Sequence, residues 1–169
     1  MIKENFIKLY ETSFRENWDL PSVSDYGTDQ VFFFCDVAEE VARLHIVLEQ
    51  CGVKKGDKVA LVGKDCARWC IAYMATITYG AVIVPILQDF NPNDIHHIIN
   101  HSESVVLFVS DRIWDTLEEE KIPDVQVAFS LTDFHCILRR EGMPSRLRRE
   151  DVDVLMARKY PAGFTKEDI

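Results

Sequence analysis

Gly52 to Leu87 reads GVKKGDKVALVGKDCARWCIAYMATITYGAVIVPIL. Lys58 to Val62 (KVALV) is short and almost wholly apolar, and a strand without polar alternation is one buried on both faces, as in a parallel sheet. Cys66 to Tyr79 follows as a helical pattern, and Ala81 to Leu87 is a second apolar run of the same character as the first. Strand, helix and strand in that order predict a parallel βαβ unit with a right-handed crossover.

The pattern repeats downstream. Val105 to Val109 and Val125 to Phe129 are two more apolar strand candidates, with helical stretches at Pro92 to Asn100 and Ile113 to Glu120 between them. The expected fold class is α/β: a layered sandwich with a mostly parallel sheet of about four to five strands, helices on both faces and a short N-terminal helix and hairpin. Asn91 is placed to cap the Pro92 helix, Pro92 suits its first position and Asp94 complements the positive helix end.

Upstream, Val37, Val41, Leu44, Leu48 and Cys51 recur in steps of three and four and form one helix stripe, which Gly52 ends by supplying a left-handed cap. Ile2 to about Asn17 reads as an amphipathic helix, Asp25 to Asp29 as a hairpin turn and Val31 to Phe34 as a short strand. Beyond Phe129 the chain turns polar, with short helices expected near Asp133 to Arg140 and Glu150 to Lys159 and a loop at Pro161-Ala162-Gly163. The expected division is an α/β subdomain over 1–130 and a helical or loop extension over 131–169.

Composition bounds the function. The chain has 169 residues, 47% hydrophobic and 28% charged, which suits one globular domain rather than a disordered segment. A formal charge of -9 argues against nucleic acid or an anionic membrane as partner, since both demand a positive face. No run reaches the roughly 20 apolar residues of a membrane span, and the N-terminus lacks an apolar export core, so no transmembrane segment is expected and the location is cytoplasmic. Cys35, Cys51, Cys66, Cys70 and Cys136 are scattered and odd in number, and read as small hydrophobes in a reducing compartment. Arg139, Arg140, Arg146, Arg148 and Arg149 are expected to lie on a solvated linker or helix face.

The residues themselves show no active site. Seven glycines do not cluster, and neither GxGxxG nor GxxxxGK[ST] occurs, whereas a phosphate cradle needs converging backbone N–H groups. Gly63-Lys64-Asp65 follows a buried strand and precedes a helix, the topological place for a ligand, but is expected to be a tight turn with Asp65 as cap. His97 and His101 are four apart on one helix, yet HHIINH lacks the glutamate of zinc hydrolases and an obvious third ligand, so His96, His97 and His101 are expected in surface or capping roles. Trp69 is expected to be a packing anchor, and the acidic runs Glu39-Glu40 and Glu118-Glu119-Glu120 solvated helix faces. No catalytic, cofactor-binding or metal-binding residue is assigned.

The ordered set from Pro21 to Val109 resembles the N-terminal subdomain of the AMP-forming acyl-CoA synthetases of the adenylate-forming superfamily, with the long-chain fatty acid:CoA ligases of bacteria the most similar group. Its carriers are Gly52-Val53, Gly56-Asp57 and Val59-Ala60, then Trp69 after a capping pair in which Asp65-Cys66 departs from the family's Asn-Ser. Gly80-Ala81 with Pro85, Pro92 with Asp94, Ser102, Val105 to Val109 and the entry segment Pro21 to Gly27 complete it. The resemblance implies that the full-length enzyme joins a fatty acid to AMP with loss of pyrophosphate and passes the acyl group to CoA, using ATP and Mg²⁺. The family's phosphate loop, Tyr-Gly-x-Thr-Glu element, ribose-binding aspartate and catalytic lysine are not found in these residues, so no functional residue is carried over. The expectation is an N-terminal scaffold fragment, inactive alone, with self-association through surface exposed by truncation. The alternative is a stand-alone non-catalytic α/β binding or interaction module.

Overall fold

The computed structural model describes residues 5–142 and 148–169. The chain begins with α1 (Phe6–Glu16), where Asn5 accepts the Ile7 N–H as N-cap. Strands β1 (Pro21–Ser24) and β2 (Val31–Phe33) pair antiparallel as the expected hairpin. The long α2 (Phe34–Gln50) follows and stops where Gly52 takes a φ of 72°. Then come β3 (Lys58–Val62), α3 (Ala67–Tyr79), β4 (Val82–Ile86) and α4 (Pro92–His101), with Gly80 closing α3 at a φ of 92°. Asn91 Oδ1 accepts the Asp94 N–H at 3.0 Å, so α4 starts as the sequence predicts. The remaining elements are β5 (Ser104–Val109), the single turn α5 (Asp111–Trp114), β6 (Val127–Ser130), β7 (Cys136–Arg139) and α6 (Arg149–Lys159).

Strands β4-β3-β5-β6-β7 form one sheet in that spatial order, parallel except for the β6–β7 pair. Alternation of side chains splits each strand between two cores. Leu61, Phe108 and Phe129 stand in register on one face, covered by α2 and α3. Ala60, Leu107 and Ala128 stand in register on the other, covered by Ile95 and Ile99 of α4. Helices thus cover both faces, and the central strands β3 and β5 read as continuous apolar runs because neither face meets water.

Four segments differ from the sequence-based expectation. Ile113 to Glu120 is not one helix but α5 followed by a single 3₁₀ turn at Glu119–Lys121. Thr116 Oγ1 donates to the Ile113 carbonyl at 2.7 Å, and the Glu118 N–H is taken by His96 Nε2 at 3.0 Å, so the groups a helix needs are spent locally. Asp133 to Arg140 is not a helix: it supplies a turn and β7. Phe134 has a φ of 63°, outside the helical region, and Asp133 Oδ1 accepts the His135 N–H at 3.0 Å to fix that turn.

Ala81 to Leu87 is not buried on both faces, because β4 is an edge strand that pairs only with β3. Val82 is 47% exposed, and Pro85, which has no N–H to donate, is tolerated there for the same reason. The cap of α3 is not Asp65: Cys66 Sγ accepts the Trp69 N–H at 3.4 Å, and Asp25 reaches in from the hairpin turn to accept the Ala67 N–H at 2.7 Å.

Of the arginines expected on a solvated face, Arg140 departs from it, while Arg139, Arg148 and Arg149 are exposed. Arg148 pairs with Asp151 and Arg149 with Glu40, while Arg146 lies outside the described residues, as do residues 2–4 of the expected first helix. Arg140 is half-buried and donates to the carbonyls of Val125 (2.8 Å), Glu119 (2.9 Å) and Ile122 (3.2 Å). It thereby ties the loop before β6 to the end of β7. Arg140→Met keeps the apolar stem and strands these carbonyls, and is expected to cost about 2 kcal/mol. Urea unfolding of the variant checks this, a loss below about 0.5 kcal/mol marking the bonds as exchangeable with water.

Candidate functional site

In an open parallel sheet a ligand crevice forms at the C-terminal strand ends, where consecutive connections leave in opposite directions. Here that point lies between β3 and β5, because β4 sits on one side of β3 and β5 on the other. Gly63 ends β3 there. A Cβ on it would meet Leu131 Cδ1 at 2.6 Å and Ser110 Cβ at 3.4 Å, so the Leu131 side chain packs directly on this glycine. Beside it, Asp111 accepts from Ser130 Oγ at 2.5 Å and Thr132 Oγ1 at 2.8 Å, and Ser130 Oγ accepts the Thr132 N–H at 2.9 Å. The polar side chains at these strand ends are thus paired with one another. Lys64 and Asp65 are exposed on the bend before α3, whose first N–H groups are already engaged by Asp25 and Cys66.

A cavity lies elsewhere. An apolar groove of about 220 Å³ runs between α1, α2 and the C-terminal segment, with Tyr10, Phe14, Val41, Met74 and Phe164 in its wall. His45 is its one imidazole. Its Nε2 lies 3.1 Å from the Ala75 carbonyl and 2.9 Å from Thr78 Oγ1. A carbonyl accepts only, so the Nε2–H tautomer is present, and the Thr78 hydroxyl donates to the Met74 carbonyl at 2.6 Å. Burial lowers the His45 pKa to about 4, against the Ala75 carbonyl, which favours the charged ring, and with a further lowering from Lys159. The ring is therefore a neutral donor that joins α2 to α3.

The three histidines of α4 separate. His96 is 4% exposed and its pKa is lowered, chiefly by burial. It serves as acceptor for the Glu118 N–H and so is a buried loop anchor rather than a surface residue. His97 and His101 are exposed, with ring centres 5.8 Å apart and planes 10° from parallel. Trp69 stacks on Tyr73 at 5.6 Å, the packing role expected of it. Burial raises the thiols of Cys51, to about 11, and of Cys70, which keeps both as unreactive thiols. Among the described residues no group of three or more His, Cys, Asp or Glu could hold a metal ion. No helix among them is long and apolar enough to cross a membrane.

Sequence reasoning missed His45, Asp25 and Arg140. His45 carried a signal, standing four residues after Val41 and three before Leu48 on the apolar stripe of α2. Asp25 carried none, because its partner lies 42 residues away.

An α/β layer of five strands, parallel but for its last, with an N-terminal helix and hairpin packed outside it, defines the structural class. A family profile described as AMP-binding enzyme matches residues 11–164, and the chain belongs to that family. The crotonobetaine/carnitine–CoA ligase of Proteus mirabilis (strain HI4320) is 28% identical over 123 residues, 71% of this chain and 24% of that protein. Long chain acyl-CoA synthetase 5 of Arabidopsis thaliana is 31% identical over 90 residues, 53% of this chain and 12% of that protein. The fold matches a solved structure of the anthranilate CoA ligase AuaEII in complex with anthranoyl-AMP with a TM-score of 0.70 at 19% identity, over 89% of this chain and 28% of that one. The chain spans about a quarter or less of these relatives' length.

Proposed function

We propose that this chain is the N-terminal scaffold layer of an ATP-dependent, AMP-forming acid:CoA ligase of the cytoplasm, with a fatty acid as the carboxylate substrate. One observation carries the reading: the family profile runs over residues 11–164, and the relatives with printed activities are CoA ligases and acyl-CoA synthetases. In the reaction the acid carboxylate attacks the α-phosphorus of ATP and pyrophosphate leaves. The CoA thiol then displaces AMP from the acyl-adenylate, giving the thioester. ATP, Mg²⁺ and CoA are the cofactor and co-substrates this requires, and we assign none of them to residues of this chain. At the strand ends where such a ligand would sit, Leu131 packs on Gly63 and Asp111 is already paired with Ser130 and Thr132, which supports a structural rather than a binding role for the layer. The fatty-acid assignment rests on the long-chain relatives, including the long-chain-fatty-acid–CoA ligase of Yersinia pestis, 25% identical over 82% of this chain.

The test is ATP–pyrophosphate exchange by a longer protein that carries this layer, assayed with acids from acetate to oleate. Exchange that depends on a long-chain acid is expected. Exchange with acetate and not with oleate overturns the fatty-acid assignment, and no exchange with any acid overturns the ligase assignment.

A further inference from the structure

We propose that His97 and His101 form a bidentate site on the outer face of α4 for one divalent ion of the late first-row series, such as Ni²⁺, Cu²⁺ or Zn²⁺. Residues four apart on a helix share a face, and imidazole nitrogen suits these metals. Of the five histidines, three are committed elsewhere: His45 to Ala75 and Thr78, His96 to Glu118 and His135 to Asp133. His97 and His101 are both exposed and face each other, while Ile95 and Ile99 of the same helix point into the core.

The geometry is close to that of a chelate. Two imidazoles bound to one ion at about 2.0–2.1 Å, at a near-tetrahedral angle, bring their ring centres to about 5 Å. The observed separation is 5.8 Å with the ring planes 10° from parallel, so the rings must turn about their side-chain bonds to direct one nitrogen each at a shared ion. The support is rigid, since α4 is capped by Asn91, opened by Pro92 and anchored by two fully buried isoleucines. The electrostatics also suit a cation: α4 contains no lysine or arginine, carries Asp94, and belongs to a chain of formal charge -9. No third side chain joins the pair among the described residues, so water completes the coordination sphere.

Calorimetric titration with Ni²⁺ at neutral pH tests the site, with the fold of each variant verified by circular dichroism. Saturable uptake of one ion is expected, with His97→Ala and His101→Ala each weakening it by about tenfold or more, because a lone imidazole loses the chelate. His135→Ala, at an exposed histidine outside the site, is expected to stay within about twofold. His97→Asn and His101→Asn repeat the comparison should an alanine variant fail to fold. Absence of saturable uptake, or affinity within about twofold of the unsubstituted chain after loss of either histidine, overturns the proposal.

Discussion

Phe108→Ala is expected to lower the unfolding free energy by about 4 kcal/mol, within the range for emptying a buried aromatic site. Phe108 is fully buried in β5, with β3 on one side and β6 on the other. Its ring stacks on Phe129 at 5.5 Å and meets Phe134 edge-on at 5.9 Å, so truncation removes two aromatic contacts along with the buried area. The neighbours have little freedom to collapse into the hole. Leu61 and Phe129 are fixed by strand register, and Phe134 is held in a left-handed turn. A whole domain is stable by only about 5–15 kcal/mol, so the variant should unfold at a much lower urea concentration with an unchanged slope. Phe108→Leu, which keeps most of the volume, should lose about half as much or less. A loss below about 1.5 kcal/mol for alanine would show that the sheet face relaxes and that Phe108 is not its centre.

The second large effect is acid sensitivity centred on His45. Its folded pKa is about 4, below the ordinary value of 6.5, so the unfolded chain binds the proton more readily than the folded one. The stability it protects is complete above pH 6.5, is lost as pH falls from 6.5 towards 4, and changes no further below about 4. The shift corresponds to roughly 3 kcal/mol over that window. Other ionisable groups also respond to pH, so the informative quantity is a difference. His45→Gln cannot take up the proton, and its unfolding free energy should fall by roughly 3 kcal/mol less between pH 7 and pH 4 than that of the unsubstituted chain. Parallel curves for the two proteins would mean that the His45 ring reaches water freely in the folded state.

The parts of this fold that were legible in the sequence are those held together by short-range chemistry. KVALV, the Asn91-Pro92 helix start and the glycine stop at Gly52 each announce themselves within a few residues, and each lies where the pattern places it. The illegible parts depend on distant partners. The β7 strand looked helical because a bulge against β6 breaks its alternation, leaving Cys136 and Leu138 in different cores. The segment after α5 looked helical because nothing local reveals that His96, 22 residues away, takes the Glu118 N–H. The hairpin was visible as a turn, but not the reach of Asp25 across to α3. For the candidate site, the scarcity of clustered glycines was readable directly. The approach of Leu131 to Gly63 was not.

The central claim is that these residues are scaffold and not machinery. Its most direct test is acid-dependent ATP–pyrophosphate exchange measured on the purified 169-residue chain with Mg²⁺ and a panel of acids. The expected rate is indistinguishable from the protein-free blank, with the chain folded and unfolding cooperatively in the same buffer. Exchange above that blank that requires both the acid and the chain would contradict it.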